Sequence, residues 1–189
     1  MSQAPLQKSS QASPSPKRKL VVLGNGMAAG RVLDELFARA PDLSPESVHR
    51  MEGELGPLRA ARRYGRALRA HVAPAPRSRV PSLDVIVLGI GPDGHVASLF
   101  PGAATLRAGA GSVCLGVRNS PKPPPERVTL SLPVLRAARR CVMLALGTSK
   151  MDAVSAMLAR PTRHVPASLL NRDRLSVIVD DAASPKQNE

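Results

Sequence analysis

The chain contains no tryptophan, one tyrosine and two phenylalanines among its 189 residues. Its core must therefore be aliphatic, packed from Val, Leu, Ala and a few Met. Aromatic side chains form the platforms on which single-stranded nucleic acids stack. Their scarcity excludes nucleic acid as an expected partner, although the formal net charge is +13 and the pattern is arginine-rich. The arginines are spread along the chain rather than gathered in one stripe. Cysteine is nearly absent too: Cys114 and Cys141 stand far apart, match no redox or metal-ligand spacing, and sit in apolar strand-like stretches as small hydrophobes do. No cluster of His, Cys and carboxylates has metal spacing, and neither a metal nor a cofactor is expected. No apolar run reaches the ~18 residues of a membrane span. The polar N-terminus lacks the apolar centre of a signal peptide. The expectation is a soluble cytoplasmic protein with no membrane partner.

With 43% hydrophobic residues, the chain suits one domain of ordinary size with a real core. Residues 1–19 are Ser, Gln, Pro and Lys, ending in Lys17-Arg18-Lys19, and are expected to be a disordered basic tail. Residues 20–43 read as strand (Leu20–Leu23), glycine turn (Gly24-Asn25-Gly26) and helix, with Ala28, Val32, Leu33, Leu36 and Phe37 at helical spacing. The turn fits Gly-x-Gly-x-x-Ala, in which glycine admits a phosphate to a helix N-terminus. The second strand with its terminal acid that a dinucleotide fold requires ~20 residues later is missing. Ser44-Pro45-Glu46-Ser47 follows instead.

The most informative stretch is Leu83 to Gly102. Val85-Ile86-Val87-Leu88 reads as a buried parallel strand, and Gly89-Ile90-Gly91-Pro92-Asp93-Gly94-His95 as a tight turn beyond it. Ligands of open α/β sheets bind at that carboxyl edge. His95 is the one candidate base in a glycine-lined turn at a strand end, with an ordinary pKa near ~6.5 that suits neutral-pH proton transfer. Asp93 either orients the imidazole or the attacking water, or caps a short helix expected over Gly94–Leu99. Backbone N–H groups around Gly91–Gly94 are candidate donors to a developing oxyanion, with Gly91 and Gly94 as candidate substrate-binding residues. Farther on, Cys141–Leu146 reads as a buried strand leading into Gly147-Thr148-Ser149-Lys150 and a helix over Met151–Leu158. A lysine at a strand–glycine–helix junction makes an anion site.

Gly89 to Pro101 resembles the signature Gly-x-Gly-Pro-Asp-Gly-His-x-Ala-Ser-Leu-Phe-Pro of the 6-phosphogluconolactonase family, within the glucosamine/galactosamine-6-phosphate isomerase superfamily. The resemblance extends over residues 44–184, including Val48–Glu54 as a short strand and loop and a helix over Leu58–Val72. It also takes in strands over Gly111–Val117 and Leu175–Val179, and the Pro121-Lys122-Pro123-Pro124-Pro125-Glu126-Arg127 run into a strand. It implies an α/β fold with a doubly wound, mostly parallel, Rossmann-like sheet truncated on its N-terminal side, and residues 185–189 as a tail. It implies hydrolysis of a sugar-phosphate lactone with no cofactor, His95 as base, Lys150 on the phosphate and Arg127 as a bidentate clamp. The family's Gly-Gly-Ser/Thr phosphate loop and its Asp-Glu-Arg segment are not present. Residues 17–43 instead resemble the flavin-binding N-terminus of the nitrite reductase large subunit, so the chain reads as a join. Three alternatives follow: an inactive fusion relic, a flavin-binding fragment, or a related sugar-phosphate isomerase. The isomerases follow this histidine with Ile-Ala-Phe-Asn-Glu-Pro, whereas this chain has Val96-Ala97-Ser98-Leu99-Phe100-Pro101 and no glutamate.

Overall fold

A computed structural model describes residues 20–22, 35, 38, 39 and 48–185. The tail over 1–19, the Gly24–Gly26 turn and most of the helix expected after it lie outside the described residues, although Glu35, Ala38 and Arg39 are helical.

Four strands form a parallel sheet in the order β1-β2-β5-β6: β1 Leu20–Val22, β2 Val85–Gly89, β5 Arg140–Ala145 and β6 Leu175–Val179. Val85 pairs with Leu20 on one side and with Arg140 on the other, which makes β2 an interior strand. Ile86 and Leu88, at 0% and 1% exposure, are sealed in the core. Truncating one such Leu costs about 2–5 kcal/mol, a large part of a typical ~5–15 kcal/mol stability. The burial of β2 therefore sets the level at which its terminal turn is held. The resulting α/β architecture with a mostly parallel sheet is the one the sequence predicts.

Two further strands, β3 (Cys114–Val117) and β4 (Arg127–Leu130), form a separate antiparallel pair. Helix α1 (Pro57–His71) packs on this pair, burying Ala60, Ala61, Tyr64, Gly65 and Leu68. The approach is close: a Cβ on Gly116 would lie 2.7 Å from the Pro57 carbonyl carbon. Helix α2 (Leu132–Ala137) is capped by Ser131, whose Oγ accepts the Val134 N–H. Helix α3 (Met151–Leu158) makes the crossover between parallel β5 and β6, burying Ala153, Val154 and Met157.

Two expectations need correction. Val48–Glu54 forms no strand; it is irregular and ends in a 3₁₀ turn over Gly53–Leu55. Gly94–Leu99 forms no helix, because Gly94 and Ala97 take φ of +75° and +52° and break any helical run. Cys141 is buried and Cys114 partly so, and burial pushes their thiols up to about 11 and about 12. No helix of the described residues is long and apolar enough to cross a membrane.

Candidate functional site

The turn after β2 is anchored by apolar residues. Ile90 bridges to Val96 and Val96 to Leu99, and all three are buried together with Phe100. Between these anchors, Gly91 N–H donates to the His95 carbonyl at 2.9 Å and Gly94 N–H to the Gly91 carbonyl at 2.9 Å. Both glycine donors are therefore engaged inside the turn rather than aimed at a ligand, which revises the oxyanion role expected of them. Their identity is steric. A Cβ on Gly91 would stand 2.0 Å from His95 Nδ1 and 2.6 Å from Asp93 Oδ1. At Gly94 a side chain would meet Val165 Cγ1 at 2.7 Å.

This geometry brings His95 Nδ1 to 2.5 Å from Asp93 Oδ1. Lys122 Nζ reaches the same oxygen at 3.0 Å. The Phe100 ring backs the imidazole, with centroids 4.6 Å apart and planes tilted by 38°. Arg127 lies over the same Phe100 ring, its Cζ 5.5 Å from the centroid.

Arg127 differs from its expected role as a clamp. Its Nε donates to the Pro124 carbonyl at 3.1 Å, and its Nη2 to the carbonyls of Lys122 and Pro123 at 3.0 and 2.6 Å. The planar fork that suits a phosphate also suits converging carbonyls, and here it ties down the proline-rich loop. Lys150 closes the 3₁₀ turn Thr148–Lys150 beyond β5. That turn is fixed by Gly147, with φ +87°, whose N–H donates to both Asp180 carboxylate oxygens at 3.0 Å. The Lys150 ammonium has no hydrogen bond or ion pair among the described residues, while the charges acting on it are Lys122 and Asp93. The structure thus gathers His95, Asp93 and Lys150 at one sheet edge, as the sequence reading expects, and adds Lys122, which that reading does not assign to the site.

Burial pushes the Asp93 carboxyl up, but hydrogen bonds from His95 and Lys122 outweigh it and hold the group at about 2. Burial lowers the His95 imidazole; Asp93 opposes that, Lys122 and Arg127 add to it, and the result lies below 6.5. Burial and then Lys122 lower the Lys150 ammonium against the pull of Asp93. At neutral pH the pair is therefore carboxylate and neutral imidazole. The Nδ1–H then donates to Asp93, and the Nε2 lone pair is left as a proton acceptor. No three His, Cys, Asp or Glu side chains converge as metal ligands would among the described residues.

Residues 25–179 match the family model for glucosamine-6-phosphate isomerases/6-phosphogluconolactonase. The 6-phosphogluconolactonase of Streptomyces coelicolor is 41% identical over 149 residues, spanning 75% of this chain and 57% of that protein. The Mycobacterium leprae 6-phosphogluconolactonase is 41% identical over 133 residues, 67% of this chain and 53% of that one. The chain thus spans little more than half the length of these relatives. A crystal structure of 6-phosphogluconolactonase from Leishmania guyanensis shares the fold, with a TM-score of 0.74 at 21% identity over 88% of this chain and 85% of that chain. The family match begins at Asn25, inside the segment read as a nitrite-reductase-like join, and these comparisons give that join no support.

Proposed function

The chain belongs to the glucosamine-6-phosphate isomerase/6-phosphogluconolactonase family, and from that premise we propose that it hydrolyses 6-phosphoglucono-δ-lactone to 6-phosphogluconate, with His95 as general base. The observation that carries this reading is the Asp93–His95 contact of 2.5 Å at the carboxyl end of β2. Nε2 takes a proton from water as the water oxygen attacks the lactone carbonyl. The tetrahedral oxyanion collapses, the ring C–O bond breaks, and the imidazolium returns its proton to the departing ring oxygen. Asp93 holds the tautomer and stabilises the imidazolium. Lys150, whose ammonium has no hydrogen bond or ion pair among the described residues, takes the phosphate. Gly91 and Gly94 give the turn its shape. Arg127 contributes through the loop it holds. Residues 44–184 act as the lactonase-like unit, with β1 from residues 20–43 added beside β2.

Phe100 favours lactone hydrolysis over isomerisation. It stands where the related isomerases carry the glutamate of their Asn-Glu-Pro run, and its ring packs against His95 at 4.6 Å. An isomerase needs a further acid to move protons between carbon and oxygen, and a buried phenyl ring offers none. The second reading is a folded but inactive chain, since neither the Gly-Gly-Ser/Thr phosphate loop nor the Asp-Glu-Arg segment implied by the resemblance is found in this sequence.

Hydrolysis of freshly generated lactone by wild type and His95→Ala, near pH 7, separates the two. Since the lactone opens unaided, the difference between the proteins is the readout. Acceleration lost in the variant, by about 10²–10⁴-fold, supports the proposal. Equal rates, with both proteins folded by circular dichroism, establish the inactive reading.

A further inference from the structure

Lys122 is delivered to the site by an unusually well-tied loop. Its carbonyl accepts hydrogen bonds from Arg127 Nη2 at 3.0 Å and Ser120 Oγ at 2.8 Å, and its N–H donates to Ser120 Oγ at 3.3 Å. Ser120 N–H closes the loop onto the Pro125 carbonyl at 2.9 Å. The Lys122 ammonium then stands 3.0 Å from the one Asp93 oxygen that His95 also contacts.

A carboxylate held by a single neighbour can turn about its terminal torsion, which has broad wells. A second contact on the same oxygen fixes which oxygen faces Nδ1. The charges divide in the same way. Asp93 neutralises Lys122, while Lys150 keeps no partner among the described residues. We propose that Lys122 is a positioning residue: through its contact with Asp93 Oδ1 it fixes the carboxylate that orients His95, while Lys150 alone serves the substrate's anion. This rests on His95 being the base.

The charged groups facing His95 are Asp93, Lys122 and Arg127, and those facing Lys150 are Lys122 and Asp93. Removing Lys122 therefore loosens the carboxylate and removes a cation from the imidazole's surroundings, without taking away the phosphate's ligand. Lys122→Met, Lys122→Arg and Lys150→Met, each shown to be folded by circular dichroism, are compared by lactone kinetics across pH. In parallel, NMR on the substrate-free proteins follows the His95 ring titration and its Nδ1–H resonance.

Lys122→Met is expected to lower kcat by about tenfold or more, as displacement of a reacting group does, with KM changed by less than about twofold. Its His95 titration moves to higher pH and its downfield Nδ1–H signal broadens or disappears. Lys122→Arg restores part of kcat and the signal, and Lys150→Met raises KM. A Lys122→Met loss confined to KM, with the Nδ1–H signal intact, overturns the proposal and makes Lys122 a substrate ligand. Should wild type fail to open the lactone, the reaction assignment falls, but the spectra still decide: an unchanged Nδ1–H signal in Lys122→Met refutes positioning and a lost one supports it.

Discussion

At the scale of residues, the site is an arrangement of charges around one imidazole. Burial, with Lys122 and Arg127, lowers His95, and Asp93 only partly compensates. A base works in its neutral form, so lowering its pKa extends activity toward acid. The expected profile of kcat/KM has its acid limb centred below pH 6.5, while Asp93, held at about 2, remains ionised throughout it. An acid limb centred above pH 6.5 would contradict the electrostatics described. His95, Asp93 and Lys150 were legible in the sequence because each lies within a few residues of a strand end. Lys122 was not legible. It approaches Asp93 from 29 residues away, brought there by the proline-rich loop that Arg127 and Ser120 tie down. The carbonyl partners of Arg127 are hidden in the sequence for a related reason: residue type does not reveal whether a guanidinium's acceptors are phosphate oxygens or carbonyls.

At the scale of elements, the turn after β2 is shaped by contacts that exclude side chains. Gly91→Ala keeps the apolar anchors Ile90, Val96 and Leu99, yet introduces a carbon where His95 Nδ1 stands 2.0 Å away. The variant is expected to fold, with a circular dichroism spectrum like wild type. Its kcat should be about 100-fold lower, the cost of displacing a catalytic group by ~1 Å. Full activity in a folded Gly91→Ala protein would show that the turn tolerates rearrangement. Strands β2 and β5 and helix α3 were legible from the local sequence, and helix α1 and strand β6 through the family resemblance, within a residue or two of their observed ends. The separate antiparallel pairing of β3 with β4 was not, because a short apolar run signals a strand without signalling its partner's direction. The absent helix over Gly94–Leu99 has a local cause, the left-handed backbone at Gly94 and Ala97.

At the scale of the whole molecule, the sheet depends on its first strand. β1 covers one side of β2 by pairing from Leu20↔Val85 to Val22↔Val87. Deleting residues 1–22 leaves an apolar strand with unpaired N–H and C=O groups, a template for aggregation. The shortened chain is expected to show a lower urea midpoint and high-mass species on size-exclusion chromatography; an unchanged midpoint would mean that β1 adds nothing to the fold. The opposite end of the chain has its own consequence. Asp180 follows the last strand and holds Gly147, the residue that sets the turn carrying Lys150. As a ribosome releases the chain, Asp93, His95 and Lys122 are all made well before that latch exists. The turn that carries Lys150 is therefore fixed only once residue 180 has left the ribosome, after Asp93, His95 and Lys122. A nascent chain stalled earlier would already contain the base but would lack a fixed seat for its substrate's charge.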